Sequence, residues 1–491
     1  MKKILLSIVF LQLLSSLFAQ VDGGNYVLMG RSGVGTTMTT DYQCIGINPA
    51  NLGLKTKYET KHVTLGLFDM GLGFFAQGVT NAQFREYVVD PLTNNTPLTP
   101  SQSIDAANLM KNNAINFNAD IMILGLAIQT EKLGGLGFKI SDHINGYGAY
   151  RGDFTSFGYS GALSTVFFDS LTLSNNAVVP NDPNNYNAYF ATGIQSGSSS
   201  VPISLGQIVN GSKTQHHYYR SISASYAKKV WGDELFSITA GVTLKYIMGY
   251  NYLDATAENN RLSGLVAISP SFSQGDTILS NVPTRENKGN FFTPSGNGFG
   301  ADIGITGMIK ENIKFGISLL NIGSVTYTTN ANKLRDTVFS SATYETDAFE
   351  NLNDLIYWDA VSSFKVKLPT MLRIGGSIAL LENKLEVGAD VVIPLNDAAG
   401  NLNTNYYAIG GDYYIFRWLR VSSGLNMGGN FANVVEKYKT TVNVPLGITF
   451  IVGENGGWET GLATRDIQSL LFQGSKGVNP SLGFGFFRFR F

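Results

Sequence analysis

Apolar and polar residues alternate with a period of two along much of this chain, most clearly from Phe236 to Tyr252. Phe236, Ile238, Ala240, Val242, Leu244, Tyr246, Met248 and Tyr250 fall on one face of an extended chain. Ser237, Thr239, Gly241, Thr243, Lys245 and Gly249 fall on the other. From Phe236 to Tyr246 such a strand covers ~33 Å, and tilted by ~40° it rises ~25 Å, the height of a lipid-facing band between aromatic girdles. The same pattern recurs over His62 to Phe75, Asn116 to Ile128, Leu136 to Ile144, His217 to Lys228, Phe299 to Ile309, Ile313 to Thr326 and Pro369 to Leu381. It returns over Lys384 to Pro394, Asn405 to Tyr414, Trp418 to Met427, Thr441 to Val452, Gly457 to Asp466 and Asn479 to Phe491, which makes fourteen strands. Asp69 falls on the apolar face after Phe68 and predicts a bulge there. Pro445 is awkward in a regular ladder because it has no N–H to donate.

The connections sort by length. Tight links at 131–134, 230–234, 310–312, 382–383, 416–417 and 454–457 alternate with mostly long ones at 76–115, 145–216, 255–298, 328–368, 429–440 and 467–478, and 396–403 is the shortest of these. An even-stranded barrel with short turns at one rim and long loops at the other produces this alternation. The long loops are polar and rich in Asn, Ser and Gly, and Ser101 to Met110 reads as a short helix over the mouth. The predicted fold is all-β, an antiparallel transmembrane barrel of about fourteen strands.

The last strand supports that reading. Phe487, Phe489 and Phe491 share one face, and Arg488 and Arg490 share the other. An edge so aromatic invites aggregation in a soluble sandwich, the competing reading, whereas a closed barrel removes the edge by pairing its last strand with its first. The terminal Phe resembles the C-terminal signal that the barrel assembly machinery reads in outer-membrane barrels.

Met1 to Ala19 reads as a secretory signal: Lys2 and Lys3 begin it, Ile4 to Leu14 form the apolar stretch, and Ala19 suits cleavage. No later apolar run approaches the ~18 residues of a spanning helix. Removing Lys2 and Lys3 leaves 33 basic against 36 acidic residues, a balance that recruits no nucleic acid. With 55 glycines, 12% aromatic and only 14% charged residues, the composition suits strands and turns facing lipid. A single cysteine, Cys44, excludes an internal disulfide.

If the apolar faces meet outer-membrane lipid, the opposite faces line the lumen. They carry Lys245, Asp302, Arg373, Glu386, Asp390, Asp412, Arg420, Glu459, Arg465, Arg488 and Arg490. Both signs are present, whereas an ion-selective constriction carries one sign. The mixture predicts a lumen filled by charge pairs, water and an internal segment.

Residues 20–57 show no clean strand pattern and are expected to form that internal segment, a hatch, with 58–491 as the barrel. They hold Met29-Gly-Arg-Ser-Gly-Val-Gly-Thr36 and Cys44-Ile-Gly-Ile-Asn-Pro-Ala-Asn-Leu-Gly53. Proline disfavours a helical backbone at Asn48 and fixes its own φ, so Asn48-Pro49-Ala50-Asn51 predicts a rigid turn or cap. This stretch resembles the FadL-like outer-membrane superfamily, whose N-terminal hatch carries an Asn-Pro-Ala motif before the first of fourteen strands. Here Asn51-Leu52-Gly53 replaces the more usual Gly-Leu continuation. The resemblance implies an outer-membrane protein of a Gram-negative bacterium. That superfamily includes transporters of hydrophobic small molecules and outer-membrane proteins of type IX secretion, and the resemblance implies one of these roles.

Other motifs fail. Gly30 to Thr37 has the outer spacing of a phosphate loop without its Lys. His216 and His217 point to opposite faces of a strand, so no metal site is expected, and no cofactor. No Gly-x-Ser-x-Gly or His-Glu-x-x-His is present, and the chain is not expected to be an enzyme; hydrolysis abolished by replacing His143, His216 or His217 would reverse that. Two functions follow. One is a gated channel or carrier for a hydrophobic solute, with Arg31, Asn48 and Asn51 tying the hatch to the wall and an apolar pocket reaching from loops to hatch. The other is a non-conducting scaffold that binds a secretion or surface-assembly protein through 145–216 and 328–368.

Overall fold

Inward-facing polar and outward-facing apolar side chains alternate through fourteen antiparallel strands that close on themselves. They are β1 Val63–Ala76, β2 Ala114–Thr130, β3 Gly134–Ala149, β4 Lys213–Gly232, β5 Phe236–Glu258, β6 Gly296–Ile309 and β7 Ile313–Tyr327. After them come β8 Met371–Leu380, β9 Leu385–Pro394, β10 Tyr406–Phe416, β11 Leu419–Gly428, β12 Leu446–Val452, β13 Trp458–Thr464 and β14 Ser481–Arg490. The computed structural model describes residues 25–54, 62–76, 79–90, 98–111, 113–130, 132–151, 153–233, 235–271, 282–283, 293–310, 312–343, 356–431, 442–453, 457–468 and 479–491. The signal segment and the ends of the expected hatch, 20–24 and 55–57, lie outside these residues. Each strand pairs with the next, and β14 pairs with β1 from Thr64 opposite Arg490 to Gly73 opposite Ser481. Closure satisfies the ladder N–H and C=O groups that lipid could not. The protein is a transmembrane β-barrel.

The outer wall is apolar where the alternation placed it: Leu244 is 65% and Phe299 73% exposed, while Thr243 and Lys245 between them point inward and are buried. Phe487 and Phe489 stack along the outer face of β14 with ring centroids 5.9 Å apart, and Arg488 and Arg490 are buried on its inner face. Near Phe68 the irregularity is wider than the sequence suggests. Phe68 has φ +54°, yet β1 keeps register with both neighbours, from Leu67 opposite Leu124 to Asp69 opposite Met122. The register shifts fall one strand further out, between β2 and β3 at Met122/Leu124 and between β13 and β14 at Glu459/Gly461. Three adjacent strands thus carry the extra residue in one row, which turns Asp69 into the lumen while Phe68 faces out.

Strand β12 begins at Leu446, because Pro445 cannot donate to the ladder; among the described residues upstream an isolated bridge joins Asn443 to Asn426, and the expected start at Thr441 lies outside the described residues. At the long-loop rim, β5 continues into a hairpin with Arg261–Ala267. A separate four-stranded sheet unites Ser170–Leu173, Val178–Pro180, Ile194–Ser204 and Val338–Thr343. A helix spans Pro100–Met110, closed at its start by a Thr99/Gln102 capping box.

Candidate functional site in the barrel lumen

Residues 25–54 are short helical turns, almost wholly buried, and their partners are inward side chains of the wall. Asn25 caps the helix Tyr26–Gly30 by accepting from Leu28 N at 2.8 Å. Asn48 caps the 3-10 helix Pro49–Gly53, with Pro49 in its first turn, so the tetrad is a cap. The Asn48 amide donates to Thr306 Oγ1 at 2.9 Å and to Thr36 O at 2.9 Å; Thr306 Oγ1 in turn donates to Asn51 Oδ1 at 2.7 Å. Ala50 is fully buried between Asn48 and Asn51.

Inward glycines make room for this segment. A side chain at Gly304 would stand 2.0 Å from Asn48 Oδ1, and Gly66 and Gly125, opposite each other on β1 and β2, together seat the ring of Tyr42. Cys44 is fully buried, and burial pushes its thiol well above the ordinary value.

The Gly-rich stretch is an anion cradle after all, but its anion belongs to the wall. Asp390 Oδ2 accepts from Gly35 N at 2.9 Å, Thr36 N at 2.9 Å, Thr36 Oγ1 at 2.7 Å and Arg373 Nη2 at 2.8 Å. Ser32 and Gly33, with φ +64° and +76°, shape the turn that aims those N–H groups. Arg31 Nη1 meets Asp412 Oδ2 at 3.0 Å.

Further lumen charges come together in three groups. Lys245 pairs with Asp302 at 2.8 Å, and Asn321, at a bulge with φ +57°, bridges them: its N donates to Asp302 and its Oδ1 accepts from Lys245. Lys314 pairs with Glu386 at 2.8 Å, a partner the sequence reading left out. Glu459 accepts from Tyr26 Oη and Arg420 on one oxygen and from Arg488 and Arg490 on the other, at 2.8 to 3.1 Å, and Arg488 also reaches Asp41 of the segment. Arg465 is fully buried, with Nη1 3.5 Å from Asn479 Oδ1.

Beside the segment lies a small chamber of ≈ 80 Å³. Leu28, Ile45, Ile47, Leu320 and Met371 give it an apolar side; Asp120, Lys139, His143, Lys245 and Arg373 give it a charged one. This mixed lining differs from the continuous apolar pocket, reaching from the loops to the hatch, expected from the sequence. No group of three or more His, Cys, Asp or Glu side chains placed to hold a metal ion occurs among the described residues. His217 Nδ1 lies 3.3 Å from Ala399 O.

A family model described as "Family of unknown function (DUF5723)" matches residues 185–435, a little over half of the chain. The chain belongs to this family. No curated protein matches it in sequence. Among solved structures it is similar to the Pseudomonas putida toluene transporter TodX, at 10% identity and a TM-score of 0.42, covering 96% of this chain and 99% of that one. A deltaS2S3 mutant of the TodX monoaromatic hydrocarbon channel matches at 10% identity and TM-score 0.45, covering 94% and 99%. A Pseudomonas aeruginosa FadL homologue matches at 11% and 0.43, covering 96% and 99%. Likeness at this level concerns the fold alone and assigns no solute.

Proposed function

We propose that this family member is an outer-membrane channel or carrier closed by its own N-terminal hatch, residues 20–57. The observation that carries the reading is how the described part of that hatch is held. It fills the lumen yet is tied to the wall by hydrogen bonds and ion pairs, Arg31 to Asp412, Asp390 to the Gly35–Thr36 cradle and Asn48 to Thr306, beside a chamber that already holds open space. Polar ties exchange for water at little net cost when the hatch shifts, whereas an apolar core would not. The chamber's two sides suit a small hydrophobic molecule with a polar or anionic end, the apolar body against Ile45, Ile47 and Met371 and the polar end toward Lys139 and Lys245.

Planar-bilayer recording tests this. The wild-type barrel is expected to stay closed, and deletion of residues 25–54 to open stepwise currents, with heat-modifiable gel mobility showing that the deletion variant still folds. A folded deletion variant that stays silent contradicts the gate.

A second reading has its own support. The rim sheet joins Ile194–Ser204 to Val338–Thr343, so the two longest loops build one folded platform, and Val178, Val201 and Val338 are exposed on it. A scaffold would use that platform to hold a secretion or surface-assembly protein. Mild detergent extraction then recovers a stoichiometric partner, and substituting Val201 and Val338 with Asp releases it while the barrel keeps its heat-modifiable mobility.

A further inference from the structure

Asp120, His143 and Ser221 project into the chamber from three consecutive strands, β2, β3 and β4. Asp120 and His143 are directly opposite in the ladder, and so are Ser141 and Ser221, which sets Ser221 one diagonal step from the imidazole. His143 Nδ1 hydrogen-bonds Asp120 Oδ1, and Nε2 lies 2.9 Å from Ser221 Oγ. A carboxylate on Nδ1 fixes the tautomer that carries its proton there, so Nε2 is left to accept from the serine hydroxyl. Tyr219, opposite His143 on β4, stacks on the imidazole with centroids 4.8 Å apart and restrains its rotation.

We infer that Ser221, His143 and Asp120 form a nucleophile, general base and orienting carboxylate for acyl-ester hydrolysis inside the barrel. Two further observations point to a substrate. The Ser141 hydroxyl, buried and lining the same chamber, has no hydrogen-bond partner among the described residues, so its proton is available to an oxyanion. Lys139 and Lys245 line the chamber too, Lys139 Nζ donating to Ile45 O at 3.1 Å and Lys245 paired with Asp302, so cationic groups border the site. The substrate class is a small carboxylic ester, held with its acyl part toward Ile45 and Ile47.

The steps balance without a cofactor. Ser221 Oγ attacks the carbonyl carbon as its proton passes to His143 Nε2. The ester C–O bond breaks and the leaving alkoxide takes that proton from His143. Water, deprotonated by His143, then attacks the acyl-serine, and the acid departs as Ser221 recovers its proton.

The inference is independent of whether the hatch opens. Diisopropyl fluorophosphate is incubated with the folded, detergent-purified full chain, and 4-nitrophenyl butyrate turnover is followed alongside. We expect a phosphoryl adduct on Ser221, found by peptide mass, and ester turnover that falls by about 10²–10⁴-fold in Ser221→Ala. His143→Gln can keep hydrogen bonds but cannot carry the proton, so it should lose both adduct and turnover while keeping heat-modifiable mobility. A folded wild-type chain with no adduct and no turnover overturns the inference. So does turnover that persists undiminished in folded His143→Gln, since a merely structural hydrogen-bond chain would give either result.

Discussion

Glu459→Ala is expected to destabilise the barrel by about 3–5 kcal/mol, the usual consequence of removing one partner from a buried ionic group. Glu459 is 1% exposed and accepts four hydrogen bonds, from Tyr26, Arg420, Arg488 and Arg490. Its loss leaves three guanidinium groups crowded at the seam between β11, β13 and β14. Asp41 still meets Arg488, and Asp412 lies 4.0 Å from Arg420, so part of the cluster keeps counter-charge. The same substitution frees Tyr26, so the N-terminal segment loosens where it meets the closing strands. Urea unfolding of the refolded barrel in lipid vesicles measures the effect. A change below about 0.5 kcal/mol would mean that water, and not Glu459, neutralises the arginines.

The second large effect is steric. In Gly125→Ala the new methyl would lie 2.4 Å from Tyr42 Cδ2, and a methyl at its cross-strand partner Gly66 would lie 2.2 Å from Tyr42 Cζ, so the ring lies across both glycines. Tyr42 cannot step aside within the seat, so the 3-10 turn Asp41–Cys44 must move, at about 1–3 kcal/mol. Cys44, the chain's one cysteine, reports on it, since in the native fold the thiol is buried and poorly ionised. Maleimide labelling of Cys44 should accelerate about ten- to a hundredfold in Gly125→Ala. Adding Tyr42→Ala removes the collision but also the ring, so labelling should stay fast in the double variant. Unchanged labelling in Gly125→Ala would mean that the ring does not lie across those glycines.

How far the sequence disclosed this architecture depends on the kind of contact. All fourteen strands were legible, because a wall with lipid on one side and a polar lumen on the other imposes strict alternation. Their ends were not: β4 runs from Lys213 to Gly232, beyond the expected His217 to Lys228, since past the lipid band both faces meet water or protein and alternation fades. The hairpin after β5 had a signal in Asn259-Asn260, both with positive φ, between alternating runs. The rim sheet had none, because it pairs Ile194–Ser204 with a strand more than a hundred residues away.

The inward charges were readable from parity alone, but their partners were not. Arg31 meets Asp412 across 381 residues, a relation set by barrel stagger. The inward glycines that seat the segment, Gly66, Gly125 and Gly304, lie inside strands where a missing side chain marks the close approach of another part of the chain. Asp120, His143 and Ser221 match no motif because three strands bring them together, and only the register sets them in line.

The central claim is that the N-terminal segment lies inside the closed barrel, and a cross-link between its Arg31 and the wall's Asp412 tests it most directly. In a Cys44→Ala background, Arg31→Cys and Asp412→Cys are treated with a short bis-maleimide in native membranes and then denatured. The account predicts an intramolecular link that closes most of the chain into a loop and shifts its gel mobility, independent of protein concentration. Labelling of both cysteines without that link, or links only between separate chains, would place the segment outside the lumen and contradict the account.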